Sequence, residues 1–367
     1  MVEKKEASRS ANLILASSSE QANYNILVQI EQELKADFES KQVYSTQLAR
    51  SYERLSLNSS DPKIREFYAL KYMKVNFCGS YLDFAIGGLH ENGFDTFDKP
   101  KLYKANFCKD RFCPLCNARR SMKLTSQLLQ VMEVLQDDYV FAFLTLTIPN
   151  VSSEMLCEAL QELQDAWTRF SRYVKFKKVV RGFVKTLEVT QTNSDGSFHP
   201  HYHIILALDK GYFTSRDYLR QEQWQELWCK ATGKNIQAVD IRKIRPKNEK
   251  SNAIVSAVCE VAKYMVKPSD YLRGDDTIAM SNKTDYIVAT LNNALNQVKL
   301  LSYGGCFLDA RAKLKQDDTE NGNLTMSEKD TLSKYYALLL EHYQRRPQQI
   351  AYERIDETWR VIYDETE

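Results

Sequence analysis

Three of the five histidines in the sequence lie within five residues, in the segment HPHYHIIL. The segment is predicted to be a strand, and alternate side chains of a strand share a face. His201 and His203 would therefore project together, with Tyr202 on the opposite face. Two neighbouring imidazoles are typical ligands of a divalent metal ion. The sequence thus predicts a cation site at His201 and His203, with His199 as an additional candidate ligand.

A carboxylate is expected to complete this site. The sequence NSDG at residues 193–196 predicts a turn between the strands Gly182–Gln191 and His201–Leu208. If the hairpin is centred near residue 195, Glu188 falls opposite His201 or His203. Facing side chains in such a pair lie about 5 Å apart, so one cation could contact Glu188 and both histidines. The alternative is a solvent-facing strand that carries its histidines by chance.

A second pair with chemical potential is Glu260 and Tyr264, four residues apart on a predicted helix and so on one helix face. Lys263 and Lys267 flank the tyrosine, and their charges would hold a phosphate and favour the phenolate. The alternatives are core packing for Tyr264 and an ordinary ion pair on the helix surface for Glu260.

Three of the eight cysteines fall within nine residues, in the order Cys108-x4-Cys113-x2-Cys116. Thiolates at this spacing are typical of a structural zinc site, which needs four ligands. We expect Cys78 to be the fourth ligand, and His90 is the alternative fourth ligand. The alternative to a zinc site is a set of free thiols that bind no metal. Arg119 and Arg120 lie just past the last ligand, and their charges could meet phosphates.

The net charge of the chain is only +2, but its charges are segregated along the sequence. Residues 99–123 contain eight Lys or Arg and one acidic residue. Residues 172–185 contain six Lys or Arg and no acidic residue, and residues 242–250 contain five Lys or Arg and one acidic residue. Residues 351–367 carry six acids and two Arg. This distribution favours a polyanion-binding protein with one basic surface. Solvated helix faces are the alternative.

Composition and hydropathy restrict the class of protein. Hydrophobic residues make up 43% and charged residues 27% of the 367-residue chain, values typical of a globular protein. No apolar run approaches the ~20 residues of a membrane helix. We therefore expect a soluble, cytoplasmic protein without a membrane partner.

Strands are predicted at 139–147, 182–191, 201–208 and 238–244. Helices are predicted at 62–75, 116–135, 153–176, 224–231, 254–266 and 327–344, and residues 316–323 read as an acidic linker.

Four motifs in order, CKDRFCPLCNARR, FLTLTIPNV, HPHYHIIL and EVAKYMVKPSDYL, together resemble the plasmid rolling-circle replication initiators. These are Rep proteins of the HUH endonuclease superfamily, from the branch found on small plasmids of Gram-positive bacteria. The resemblance covers roughly residues 75–310. It implies an α+β fold with an HUH-type antiparallel sheet flanked by helices. To this fold the cysteine spacing adds a zinc-stapled N-terminal module, and the predicted helix at 327–344 adds a helical C-terminal region. We expect four parts, at residues 1–60, 61–136, 137–310 (the nuclease core) and 311–367.

The resemblance also implies a specific chemistry. His201 and His203 would bind Mg²⁺ or Mn²⁺ and Tyr264 would attack the scissile phosphate of single-stranded DNA. A 5′-phosphotyrosyl link and a 3′-OH primer would result, and the ends would be rejoined after synthesis. Glu260 matches the glutamate thought to activate water in the terminating cleavage. Expected partners are plasmid origin DNA, the host helicase and the replication machinery. Tyr202 replaces a purely aliphatic residue of the motif, and its hydroxyl would need a partner if buried.

Two other functions compete with this one. An HUH relaxase or single-strand transposase would use similar chemistry, but relaxases commonly carry an N-terminal tyrosine, whereas Tyr264 lies downstream of the histidines. A non-catalytic, zinc-stabilised DNA-binding regulator would explain the cysteines and the basic runs, but would give His201, His203 and Tyr264 no function.

Overall fold

A computed structural model describes residues 20–192, 195–244, 253–262, 268–272, 277–325, 335, 337–345 and 351–361. The helices in these residues are α1 (Glu20–Leu57), α2 (Pro62–Asn76), α3 (Pro114–Leu135), α4 (Leu156–Phe170), α5 (Val174–Val179), α6 (Gln221–Thr232), α7 (Ala253–Ala262), α8 (Pro268–Tyr271), α9 (Ile278–Ala294) and α10 (Cys306–Lys313). The strands are β1 (Tyr81–His90), β2 (Gly93–Ala105), β3 (Tyr139–Thr147), β4 (Val180–Gln191), β5 (Phe198–Asp209), β6 (Val239–Lys243), β7 (Leu301–Gly305), β8 (Ala337–Arg345) and β9 (Tyr352–Val361).

A five-stranded antiparallel sheet carries the predicted histidine strand at its centre. Its strand order is β6-β3-β5-β4-β7, so β5 pairs with β3 on one side and with β4 on the other. The β4–β5 hairpin and the strand at 139–147 are confirmed. Because β5 has a neighbour on both sides, its backbone hydrogen bonds are satisfied within the sheet and its register is fixed.

One face of this sheet packs against α3, α7 and α10. Phe143, Val184 and Ile205 contribute to the core from the strands. The helices contribute a larger set of apolar residues, among them Leu128, Met132, Val258, Val261 and Phe307. The same face carries the side chains of Glu188, His201 and His203, so α3 and α7 lie over the layer that contains the predicted cation site.

The opposite face packs against α4 and α6 through aromatic side chains. Trp167 contacts Phe183 and Tyr202 with ring centroids 4.9 and 6.3 Å apart, and Phe170 contacts Trp228. The prediction of one helix over 153–176 was wrong, because the backbone becomes extended at Tyr173 and restarts as the short helix α5. The break lets Phe176 turn inward against Trp167.

A second antiparallel sheet has the order β2-β1-β8-β9. Its core includes Ala85, Phe97, Tyr103, Leu338 and Leu340. The predicted helix at 327–344, and with it the helical C-terminal region, was wrong. Residues 337–345 form a strand because they pair with β1, which lies far away in sequence and is invisible to local helix propensity. Residues 327–334 lie outside the described residues.

Two compact units make up the chain: Met1–Ser45 with Phe77–Cys108 and Thr325–Glu367, and Thr46–Asn76 with Lys109–Leu324. The α+β fold class with antiparallel sheets is confirmed. The division at residues 60, 136 and 310 stays a prediction. Among the helices described, none has the length and apolar character needed to span a bilayer.

Candidate active site

Strand register brings the predicted cation ligands together. Glu188 lies directly across from His201 in the β4–β5 pair, and Thr186 lies across from His203. The Glu188 Oε2 atom is 3.1 Å from His201 Nε2 and 2.8 Å from His203 Nε2. The three ligand atoms all lie within 4.8 Å of one another. Two imidazole nitrogens and one carboxylate oxygen at this separation match the donor set of a divalent-cation site.

Backbone and strand neighbours fix the orientation of both imidazoles. His201 Nδ1 lies 3.1 Å from the carbonyl oxygen of His199, and His203 Nδ1 lies 3.5 Å from Thr145 Oγ1 on β3. In each ring, Nε2 is therefore the nitrogen that faces Glu188. Such contacts to the second ring nitrogen hold a metal-binding histidine in one orientation.

The electrostatics of Glu188 follow from its two neighbours. The side chain is buried, with 6% of its surface exposed. Burial raises the pKa of Glu188, but hydrogen bonds and charge from His201 and His203 outweigh burial and lower the pKa to about 2. The carboxylate is therefore charged at neutral pH, which is the form that binds a cation.

His199 occupies a different position from the other two histidines. Its ring is 5.0 Å from that of His201, centroid to centroid, but its Nδ1 lies 2.7 Å from Asn150 Oδ1. Burial, together with the charge of His201, lowers the pKa of His199. The structure thus places His199 beside the cluster and outside its three-residue donor set.

The opposite face of the hairpin holds a polar network that the sequence did not reveal. The Tyr202 hydroxyl donates to Gln164 Oε1 at 3.0 Å, which gives the buried hydroxyl the partner expected for it. Lys185 Nζ donates to the same oxygen at 3.3 Å. A lysine within the apolar strand sequence VRGFVKTLEV was the available signal, but nothing local identifies Gln164 as its partner.

Glu260 lies on α7 and is half-buried. Tyr264, Lys263 and Lys267 lie outside the described residues, so their positions relative to the histidines stay predictions. The C-terminal end of α7, up to Ala262, is nevertheless described. Ala262 and Val261 line a small cavity together with Thr186, the residue across from His203. The described part of α7 therefore ends at Ala262, beside the sheet face that carries Glu188, His201 and His203.

The four cysteines predicted to bind zinc come together, and their sulfur atoms lie within 4.8 Å of one another. Cys113 precedes α3 in an extended conformation and Pro114 begins the helix, which presents Cys116 one turn later. His90, the alternative ligand, instead pairs with Asp95 at 3.1 Å. Four thiols at this separation fit a tetrahedral zinc ion.

The two predicted DNA-binding arginines differ in exposure. Arg120 is buried, with 4% of its surface exposed, and donates to the carbonyl oxygens of Glu320 and Asp110. Its guanidinium holds the loop at 316–323 and is not presented to a phosphate. Arg119 is half-buried and donates to the carbonyl oxygen of Leu324.

These features define an α+β protein whose five-stranded antiparallel sheet carries a group of two histidines and one glutamate that could hold a divalent cation. Comparison with known proteins identifies the family. The model of the replication protein family matches residues 99–352. A "Protein rep" of Bacillus sp is 33% identical over 291 residues, covering 76% of this chain and 90% of that protein. A "Protein rep" of Bacillus amyloliquefaciens is 30% identical over 310 residues, covering 81% and 87%.

A third relative, the "Protein rep" of Lactiplantibacillus plantarum, is 35% identical over 257 residues, which cover 68% of this chain and 77% of that protein. No solved structure matches the chain. The chain belongs to the replication protein family and is a plasmid replication initiator of the Rep type.

Proposed function

We propose that this initiator nicks one DNA strand at the plasmid origin through Tyr264, and rejoins the strand when replication of the circle is complete. The observation that carries the proposal is the cluster of Glu188, His201 and His203 on the sheet face that α7 covers. Host helicase and the replication machinery would act on the product, as the resemblance to rolling-circle initiators implies.

Mg²⁺ or Mn²⁺ would be held by His201 Nε2, His203 Nε2 and a Glu188 oxygen, the three atoms that face one another. Bound there, the ion would supply positive charge to a non-bridging oxygen of the scissile phosphate. The protein contributes the orientation of the ligands, which β3, β4 and β5 fix by their register.

The Tyr264 oxygen would form a bond to phosphorus while the bond from phosphorus to O3′ breaks. The phenol proton ends on the released O3′, so the products are a 5′-phosphotyrosyl link and a 3′-OH. A phenol, with its pKa near 10, is a far better leaving group than an alcohol. The link therefore keeps the energy of the phosphodiester and permits rejoining, whereas hydrolysis would lose it.

Glu260 lies on α7, four residues before Tyr264 in sequence. We assign it the role of the base that activates water in the terminating cleavage. A carboxylate suits this role because it accepts the proton of water while Tyr264 is already esterified.

Nicking of supercoiled plasmid that carries the origin, with Mn²⁺ or with a chelator, tests the proposal. The expected result is nicked circles with protein attached to the 5′ end, lost in the Tyr264→Phe and His203→Ala variants. His90→Ala is the control, because His90 pairs with Asp95 and does not belong to the Glu188, His201 and His203 group. Origin binding without nicking by the wild type would favour the regulator and reject the proposal.

A further inference from the structure

A basic cleft lies between α5 and the loop that precedes α6. Lys175, Lys178, Arg216, Asp217 and Tyr218 line it together with two buried apolar residues, and its volume is about 300 Å³. We propose that this cleft binds the sugar–phosphate backbone of double-helical origin DNA, at a distance from the nicking site. The proposal rests on the proposed function, because it takes origin DNA as the partner.

Charge is the first argument. The lining of the cleft contains three cations and one acid. The segments that surround the lining, residues 172–181 and 209–222, contain eight Lys or Arg against the three acids Asp209, Asp217 and Glu222. Two of the acids are already paired: Asp209 with Arg181 at 2.6 Å and Asp217 with Lys178 at 2.7 Å. The remaining charge is positive and suits a polyanion.

The second argument is the availability of the cations. Lys175 and Arg216 are exposed, and no ion pair found among the described residues involves either of them. They come from two separate elements and flank one opening. Long cationic side chains on both sides of a cleft fit a phosphate backbone that passes between them, and such contacts position a protein on the duplex.

The third argument is that the support under the cleft is rigid. Phe176, which lies between the cleft residues Lys175 and Lys178 in sequence, is buried against Trp167 and Trp224. Tyr218 lines the cleft from the loop that precedes α6. Its ring centroid lies 5.5 Å from that of Tyr212. The cations therefore project from a fixed base, which reduces the ordering that DNA binding would require.

The position of the cleft separates it from the cation site. The cleft residue Val179 directly precedes β4, and Glu188 lies eight residues after Val180. At roughly 3.3 Å per residue, this is a distance of about 26 Å along the strand. The spacing along duplex DNA is about 3.4 Å per base pair, so the two sites would contact regions several base pairs apart.

The test compares duplex binding with cleavage of a short single-stranded oligonucleotide that spans the nick. The variant is Lys175→Ala with Arg216→Ala. Lys178 stays unchanged because its removal would leave Asp217 unpaired. The matched control is Lys283→Ala with Lys313→Ala, two exposed lysines on α9 and α10.

Each neutralised phosphate contributes about 0.9 to the slope of log K against log salt, so loss of two contacts should reduce that slope by about 1.8. We expect this reduction in the cleft variant only, with oligonucleotide cleavage at the wild-type rate. An unchanged slope, or an equal reduction in the control, would overturn the proposal. If the wild type fails to cleave the oligonucleotide but the cleft variant still shows the reduced slope, the proposed nicking activity is rejected and DNA binding by the cleft is supported.

Discussion

Lys185 Nζ lies 3.6 Å from the centroid of the Tyr202 ring, on the face of the hairpin opposite the cation ligands. Only 2% of the lysine is exposed. The ring of Tyr202 and the side-chain oxygen of Gln164 stabilise its ammonium group, in place of the carboxylate that usually accompanies a buried lysine. Tyr202 separates His201 from His203 in sequence, so this network packs directly behind the strand that carries the ligands.

The pH dependence of stability should reveal this lysine. Burial, and to a lesser extent the charge of Lys299, lowers the pKa of Lys185 from 10.5 to about 7. The unfolded chain keeps this proton up to its ordinary pKa, so between pH 7 and 10 the unfolded state binds more protons than the folded state. The free energy of unfolding should therefore rise with pH in this window, by at most about 1.4 kcal/mol per unit.

Urea denaturation of wild type and Lys185→Met at pH 7, 8 and 9 measures this effect. As the pH rises from 7 to 9, the free energy of unfolding of the wild type should increase relative to that of Lys185→Met. Lys283→Met, at an exposed position, should show a difference that is constant with pH. A constant difference for Lys185→Met as well would show that the folded protein keeps this lysine charged.

Glu188→Gln should weaken Mn²⁺ binding at least tenfold. The amide keeps the size of the side chain but removes the negative charge that lies between the two imidazoles, and a neutral oxygen is a poorer ligand. Titration calorimetry with Mn²⁺ is the measurement. Glu162→Gln is the control, because Glu162 pairs with Lys234 at the surface of α4. Equal Mn²⁺ affinity for the Glu188 variant and the wild type would remove Glu188 from the ligand set.

Cys113→Ser should lose bound zinc and unfold at a lower temperature, because a closed site of four thiolates contributes to folding directly. Cys157→Ser is the matched control, since Cys157 is exposed and lies outside the cluster. Metal analysis of the purified variants and thermal denaturation measure both properties. Stoichiometric zinc together with wild-type melting in Cys113→Ser would contradict the zinc site.

The sequence predicted the grouping of Glu188, His201 and His203 because the determinants of that grouping are local. Alternation along β5 and the turn at 193–196 were enough to place Glu188 opposite His201. The same approach failed for residues 337–345, where Leu338 and Leu340 favour a helix locally but pack into a sheet core. Their strand forms only because β1 offers a partner far away in sequence. Gln164 was missed for a similar reason: its contact with Lys185 depends on how α4 packs against the sheet.

Glu260→Ala should separate the two ends of the replication cycle. The change leaves the cation ligands and Tyr264 in place, so the first nick should persist at the wild-type rate. If Glu260 is the base for water, termination should fail, and trapped adduct or multimeric plasmid should accumulate. If Glu260 only forms an ion pair on the helix, its loss should cost about 0.5 kcal/mol of stability or less and spare both steps.

A plasmid with two origins measures initiation and termination in one reaction, with Glu158→Ala on the exposed side of α4 as the control. Wild-type rates of both steps in Glu260→Ala would exclude the base, whereas a selective loss of termination would assign this carboxylate to the second cleavage.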